Sequence, residues 1–319
     1  MKILGAVALC CGLSLLAPAA TAKEILPDSG PLGDTARRLL LLDGVHLGNR
    51  IVAVGDRGYI VYSEDQGASW QRAKSPPAPL LTAVFFVDGR NGWAVGHDSV
   101  ILATQDAGAT WTQQFSAASE QRPLLDVLFI DARHGMAIGA YGAFYETADG
   151  GKTWTPRKII EDDKHLNAIL LLGERRLLIL GEAGTILVSG DAGKTWSPVA
   201  SPYKGSLFGA VVAGDGAIVA FGLRGRIYRS TDGGKSWKQV DNASHATLMG
   251  GSRLPDGAIV LAGAAGTALV SRDHGQSFVK LDTGSNRAMS HAMLGAPNAA
   301  LLLGEAGARS VALPSGPRR

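Results

Sequence analysis

The sequence predicts an all-β fold, a seven-bladed β-propeller with four antiparallel strands per blade. Three observations lead there. One signature, Gly-x-x-Gly (Gly-x-x-Ser in the second copy), a short apolar run, then Ser/Thr-x-Asp-x-Gly-x-Ser/Thr-Trp (Phe in the sixth), recurs six times at spacings of 41 to 43 residues. Each unit breaks into strand-sized apolar pieces separated by turn residues. The 297 residues that follow Ala22 hold seven such periods, and a repeat of this length built from strands is the mark of a propeller, one unit per blade.

The first 22 residues stand apart. Lys2, the apolar stretch Ile3 to Leu16 and the small residues Ala20-Thr21-Ala22 have the layout of a secretory signal peptide cleaved after Ala22. The stretch is short for a membrane span, and stable membrane insertion is not expected. Both cysteines, Cys10 and Cys11, lie in this leader, and Leu9 before Cys10 argues against lipidation. Residues 23–319 are then one cysteine-free domain exported to a periplasm. Loss of Lys2 takes the formal charge from +3 to +2. With no basic run and few aromatics, nucleic acid is not an expected partner.

Unit two shows the blade most clearly. Leu80 to Val87 reads as the first strand, Asp88 to Gly92 as a turn, Trp93 to Gly96 as the second strand and Val100 to Thr104 as the third. The turn Gln105 to Ala109 leads into a fourth strand, Thr110 to Phe115. A seventh, partial unit has strands at Ala288 to Gly295, Ala299 to Gly304 and Ser310 to Leu313. Its missing fourth strand is expected from the mature N-terminus, Lys23 to Pro27, which closes the ring.

Each signature position has a structural reading. The aspartates Asp65, Asp106, Asp149, Asp191, Asp232 and Asp273 sit at hairpin tips, where a carboxylate accepts N–H groups from its own turn. Gly follows where a positive φ is needed, and Trp opens the outer strand (Phe278 in the sixth copy). Spaced once per blade, the six carboxylates lie around a ring rather than in one metal site. The histidines have no zinc spacing, and no phosphate-cradling Gly-Lys-Ser/Thr loop or Gly-x-Ser-x-Gly elbow occurs. No metal and no cofactor is expected.

The aspartate motif resembles the Asp box, or bacterial neuraminidase repeat. Gly92-Trp93-Ala94-Val95-Gly96 before a box ending at Trp111 is similar to the photosystem II stability and assembly factor family, with partial matches at Gly135 to Gly139 and Ile51 to Gly55. The resemblance spans about residues 35 to 312. It implies an exported, non-catalytic propeller that binds proteins as an assembly or accessory factor for a membrane or envelope complex, docking a loop or terminus of its partner. A monomer is expected.

In a four-stranded blade the second-to-third strand turns and the connections between blades share one face, and the aspartate hairpins share the other. The variable first face carries the candidate binding residues: Arg57, His97 and Asp98, Tyr141, Glu182, Arg224 and Arg226 on the inner turns, with Arg122 and Arg287 on the connections. Function concentrates where turns vary on a repeated scaffold. Arginines suit a carboxylate or an acidic segment, with Arg57, Arg224 and Arg226 foremost. The alternative is a glycan-binding or sialidase-like propeller. The Phe/Tyr-Arg-Ile-Pro stretch of sialidases is absent, and Asp98 with Glu182 is the one pair of carboxylates that suits glycoside hydrolysis.

Overall fold

Seven antiparallel sheets follow one another along the chain in a computed structural model that describes residues 29–314. Blade 1 contains Leu41–Leu47, Arg50–Gly55, Ile60–Ser63 and Gln71–Arg72, and blade 2 contains Leu81–Phe86, Gly92–Gly96, Ile101–Thr104 and Thr112–Phe115. Blades 3 to 6 begin at Leu124, Leu166, Leu207 and Leu248, each with four strands paired in sequence order. Blade 7 holds three strands, Met289–Leu294, Ala299–Gly304 and Gly307–Ala312. Among the described residues no helix is long and apolar enough to cross a membrane.

Every second strand is buried along its length, as Ile51, Val52, Ala53 and Val54 illustrate at 0% exposure. Such a strand packs against a neighbouring blade on both faces, so it reads as a continuous apolar run rather than an alternation. Aromatic rings join blades as well. Trp93 of blade 2 stacks on Phe129 of blade 3 with centroids 3.4 Å apart, and Trp154 meets Phe129 edge-on at 5.8 Å.

The Gly-x-x-Gly pair has two separate causes. Gly55 and Gly96 are extended, but a Cβ on them would overlap the carbonyl oxygens of Leu40 and Leu80, just before the inner strands. The second glycine closes a type I′ turn: Arg57 has φ 55° and ψ 29°, and Gly58 has φ 68°.

Among the described residues, the two terminal blades differ from the others in strand number. The segment expected to close blade 7, Lys23 to Pro27, lies outside the described residues. The first described strand, Gly30–Pro31, pairs with Gln71–Arg72 and gives blade 1 a fifth strand. Blades 7 and 1 meet through other contacts. Ser290 donates its hydroxyl to the Leu41 carbonyl at 2.6 Å, and the Gly307 N–H reaches the Leu39 carbonyl at 2.8 Å. Leu32, Leu39 and Leu41 share one apolar cluster with Met293, Leu301 and Leu303.

Candidate functional site

The two faces of the ring differ in how their polar side chains are used. On the hairpin face, Asp149 accepts the Thr147 hydroxyl at 2.8 Å, the Thr153 N–H at 2.9 Å and the Thr153 hydroxyl at 2.7 Å. Equivalent bonds hold Asp65, Asp106, Asp191, Asp232 and Asp273. The Thr153 N–H, then its hydroxyl, hold the Asp149 carboxyl down at about 2. The Thr195 and Ser236 hydroxyls act first in lowering Asp191 and Asp232. These carboxylates are occupied by their own turns.

Most arginines on that face are occupied too, with exposed Arg175 and Arg253 as exceptions. Arg50 pairs with Glu64 and donates to the Ala107 carbonyl of blade 2 at 2.9 Å. Arg229 pairs with Asp215, Arg272 with Asp256 at 2.9 Å, and Arg176 donates to the Gly233 carbonyl. Arg90 and Arg133 each reach a carbonyl of the adjacent hairpin at 3.3 Å.

The opposite face presents the candidate binding residues. The tips of its inner turns are left-handed at Arg57, Asp98, Tyr141, Ala183, Arg224 and Ala265, with φ between 51° and 59°. Holding a side chain there costs about 1 kcal/mol relative to glycine, yet blades 1, 3 and 5 place Arg, Tyr and Arg at that position. Arg57 lies 3.3 Å from its neighbour Asp56. The guanidinium groups of Arg122, Arg224, Arg226 and Arg287, all exposed, make no hydrogen bond or ion pair with the described protein. Tyr141 is 52% exposed and meets His165 edge-on at 5.0 Å.

Some candidates are brought together and others are kept apart. Arg224 and Arg226 flank one turn of blade 5. Arg122 and Tyr141 line a cavity of about 390 Å³ with Glu120, whose carboxylate accepts the Tyr145 hydroxyl at 2.8 Å. His97 and Asp98 are exposed on blade 2, whereas Glu182 is half-buried on blade 4 and accepts the His165 N–H at 3.1 Å. None of the described cavities is lined by both Asp98 and Glu182.

The central channel holds polar groups that the sequence reading passed over. In all seven blades the register between the first two strands shifts at the same place, a bulge next to the second residue of the inner strand. A bulge re-aims side chains, and here it turns two consecutive residues per blade toward the channel. Asp43 accepts the Val84 N–H of blade 2 at 2.9 Å, and Asp126 accepts the Ile169 N–H of blade 4 at 2.8 Å. Burial, with the Asp43 carboxylate adding to it, pushes Asp126 up to about 7. The available signal was a carboxylate inside an apolar strand at the same register in units one and three.

Comparison with known proteins bears on the fold and the family. Residues 116–260 match the family described as "Photosynthesis system II assembly factor YCF48". No curated protein matches the chain by sequence. Among solved structures, "YCF48 bound to D1 peptide" is 20% identical with a TM-score of 0.70, covering 92% of this chain and 99% of that one. YCF48 from Cyanidioschyzon merolae is 17% identical with a TM-score of 0.66, covering 90% and 99%. The GH74 xyloglucanase from Xanthomonas campestris is 14% identical with a TM-score of 0.63, covering 85% of this chain and 52% of that one. The family match covers under half of the chain, and the structural likeness shows the fold, a seven-bladed propeller similar to that of YCF48.

Proposed function

We propose that this photosystem II assembly factor-like propeller is an exported, non-catalytic protein-binding factor that serves the assembly or stability of a membrane or envelope complex. Its docking face is the one bearing Arg57, Tyr141, Arg224 and Arg226, and the partner presents a loop or terminus with carboxylates.

The observation that carries this reading is a contrast of degree between the faces: most hairpin-face arginines are engaged, Arg175 and Arg253 excepted, whereas four candidate arginines of the docking face are not. Arg50, Arg229 and Arg272 are consumed by ion pairs within the fold. Arg122, Arg224, Arg226 and Arg287 have their guanidinium groups unused and exposed. A planar fork of donors without an internal partner is suited to a carboxylate brought by another chain. YCF48, which shares this fold, is seen bound to a D1 peptide, which supports a peptide-binding role for the fold here.

The test is recovery of partners from envelope membranes by the tagged wild-type protein and by Arg224→Glu/Arg226→Glu. Loss of a discrete membrane-protein partner, with unchanged circular dichroism, is the expected result. Equal recovery by the folded double variant overturns the placement of the docking face.

A further inference from the structure

The central channel is a cavity of about 340 Å³ walled by the innermost strands of all seven blades. Its bulged residues form a collar near the end that faces the docking side. Leu42, Leu125, Phe208 and Met249 supply apolar surface there, and each is partly exposed, Met249 to 41%.

The polar wall of the same cavity has a consistent sign. Thr82 donates its hydroxyl to the Leu124 carbonyl at 2.6 Å, and Asn167 donates its amide to the Leu207 carbonyl at 2.9 Å. Ser290 donates to the Leu41 carbonyl at 2.6 Å. Each of these side chains thus spends a donor on holding adjacent blades together, and the hydroxyl lone pairs and the Asn167 amide oxygen remain as acceptors beside one further Asn167 N–H.

The two carboxylates differ in their company. Asp43 has His291 at 3.0 Å. Asp126 has backbone N–H groups of Val127 and Ile169 at 2.8 Å, and the charged group that acts on it is Asp43, which repels. A half-buried carboxylate without an adjacent counter-charge is costly to ionise. An acceptor wall, an uncompensated carboxylate and an apolar collar together describe a receptor for a donor-rich cation on an alkyl stem.

We propose that the channel binds a primary alkylammonium group, with its methylenes against Leu125, Phe208 and Met249 and its ammonium on Asp126 and the Asn167 amide oxygen. An ammonium carries three donors and no acceptor, which matches this wall, and chain burial against the collar adds to affinity. A free amine and a lysyl side chain share this chemistry. The groups that face Asp126 from neighbouring inner strands are Thr82, Asn167, Asp43 and His291, of which Asp43 and His291 are ionisable. Because burial raises the Asp126 carboxyl to about 7, protons and the bound cation compete near neutrality.

The experiment is a titration of the whole protein with n-butylammonium at pH 8, read by the ¹³C carboxyl resonance of Asp126 and by calorimetry, with 1-butanol as the neutral probe. Butylammonium is expected to bind, to lower the apparent Asp126 pKa, and to bind at least tenfold more weakly to Asp126→Asn. Met249→Arg, at an exposed position, fills the collar with a fixed cation and is expected to abolish binding even where Asp126→Asn fails to fold. Equal binding of Nα-acetyl-lysine amide points to a lysyl side chain as the source, and binding of butylammonium alone points to a free amine. No binding, equal binding of 1-butanol, or undiminished binding by both variants overturns the proposal.

Discussion

Asp43 and His291 meet with Oδ1 and Nδ1 3.0 Å apart, across the seam where the last blade of the ring closes on the first. The other oxygen of Asp43 accepts the Val84 N–H at 2.9 Å, so one carboxylate links blades 7, 1 and 2. Removing a half-buried acceptor leaves its donors short of a partner, at about 1 kcal/mol and at most about 3. Asp43→Ala is therefore expected to lower the urea-unfolding free energy by about that amount, and Asp43→Asn by less, since an amide oxygen still accepts. Equal stability of Asp43→Ala and wild type would contradict the seam's role.

The glycine that ends each second strand, the first of Gly-x-x-Gly or of Gly96-x-x-Ser99, is expected to be intolerant of a methyl group. A Cβ at Gly96 runs into the Leu80 carbonyl, whereas one at Gly89 meets nothing within 4 Å. Overpacking of this kind costs about 1–3 kcal/mol. Gly96→Ala should lower the melting temperature markedly, and Gly89→Ala should leave it nearly unchanged. Similar effects at both positions would disprove the close-approach explanation.

Two aspartates set opposite pH dependences. The Asp149 carboxyl is held at about 2 by hydrogen bonds from Thr153, below its unfolded value of about 3.9. Its contribution is present above about pH 4 and is lost as pH falls through 2. Asp126 is raised to about 7 by burial, so its ionisation penalises the fold increasingly as pH rises from about 4 toward and past that value. Asp126→Asn is expected to compare more favourably with wild type in melting temperature at pH 8 than at pH 5. A larger benefit at pH 5 would reverse the sign and refute the assignment.

Arg224 holds φ 59° at the tip of its turn. Arg224→Gly relieves a strain of about 1 kcal/mol, partly offset by the greater freedom of glycine in the unfolded chain. Chemical denaturation should show stability equal to or above wild type, while partner recovery falls. A clear loss of stability would mean that the side chain supports the fold instead of a partner.

The repeating scaffold was open to inspection because its causes are local. Trp93 to Gly96 is apolar throughout because the second strand is buried on both faces, and Gly92 to Gly96 is the strand observed. The bulge beside Thr82 was not legible, since one extra residue shifts which side chains face inward without changing composition. Asp43 and Asp126 therefore escaped notice as channel residues, although each is a carboxylate inside an apolar strand. The pairing of Gly30–Pro31 with blade 1 is made by backbone groups, which leave no side-chain pattern to read. Nor could the sequence separate used from unused arginines: Arg176 is satisfied by a carbonyl 57 positions away, in the next blade.

The most direct test of the docking face is photo-crosslinking in the native envelope from a benzophenone side chain placed at position 141, on the candidate face, or at position 89, on the hairpin face. The account expects a discrete membrane-protein adduct from position 141 and none from position 89. Adducts from position 89 alone, or retention of the protein on polysaccharide with no protein adduct from either position, would contradict it.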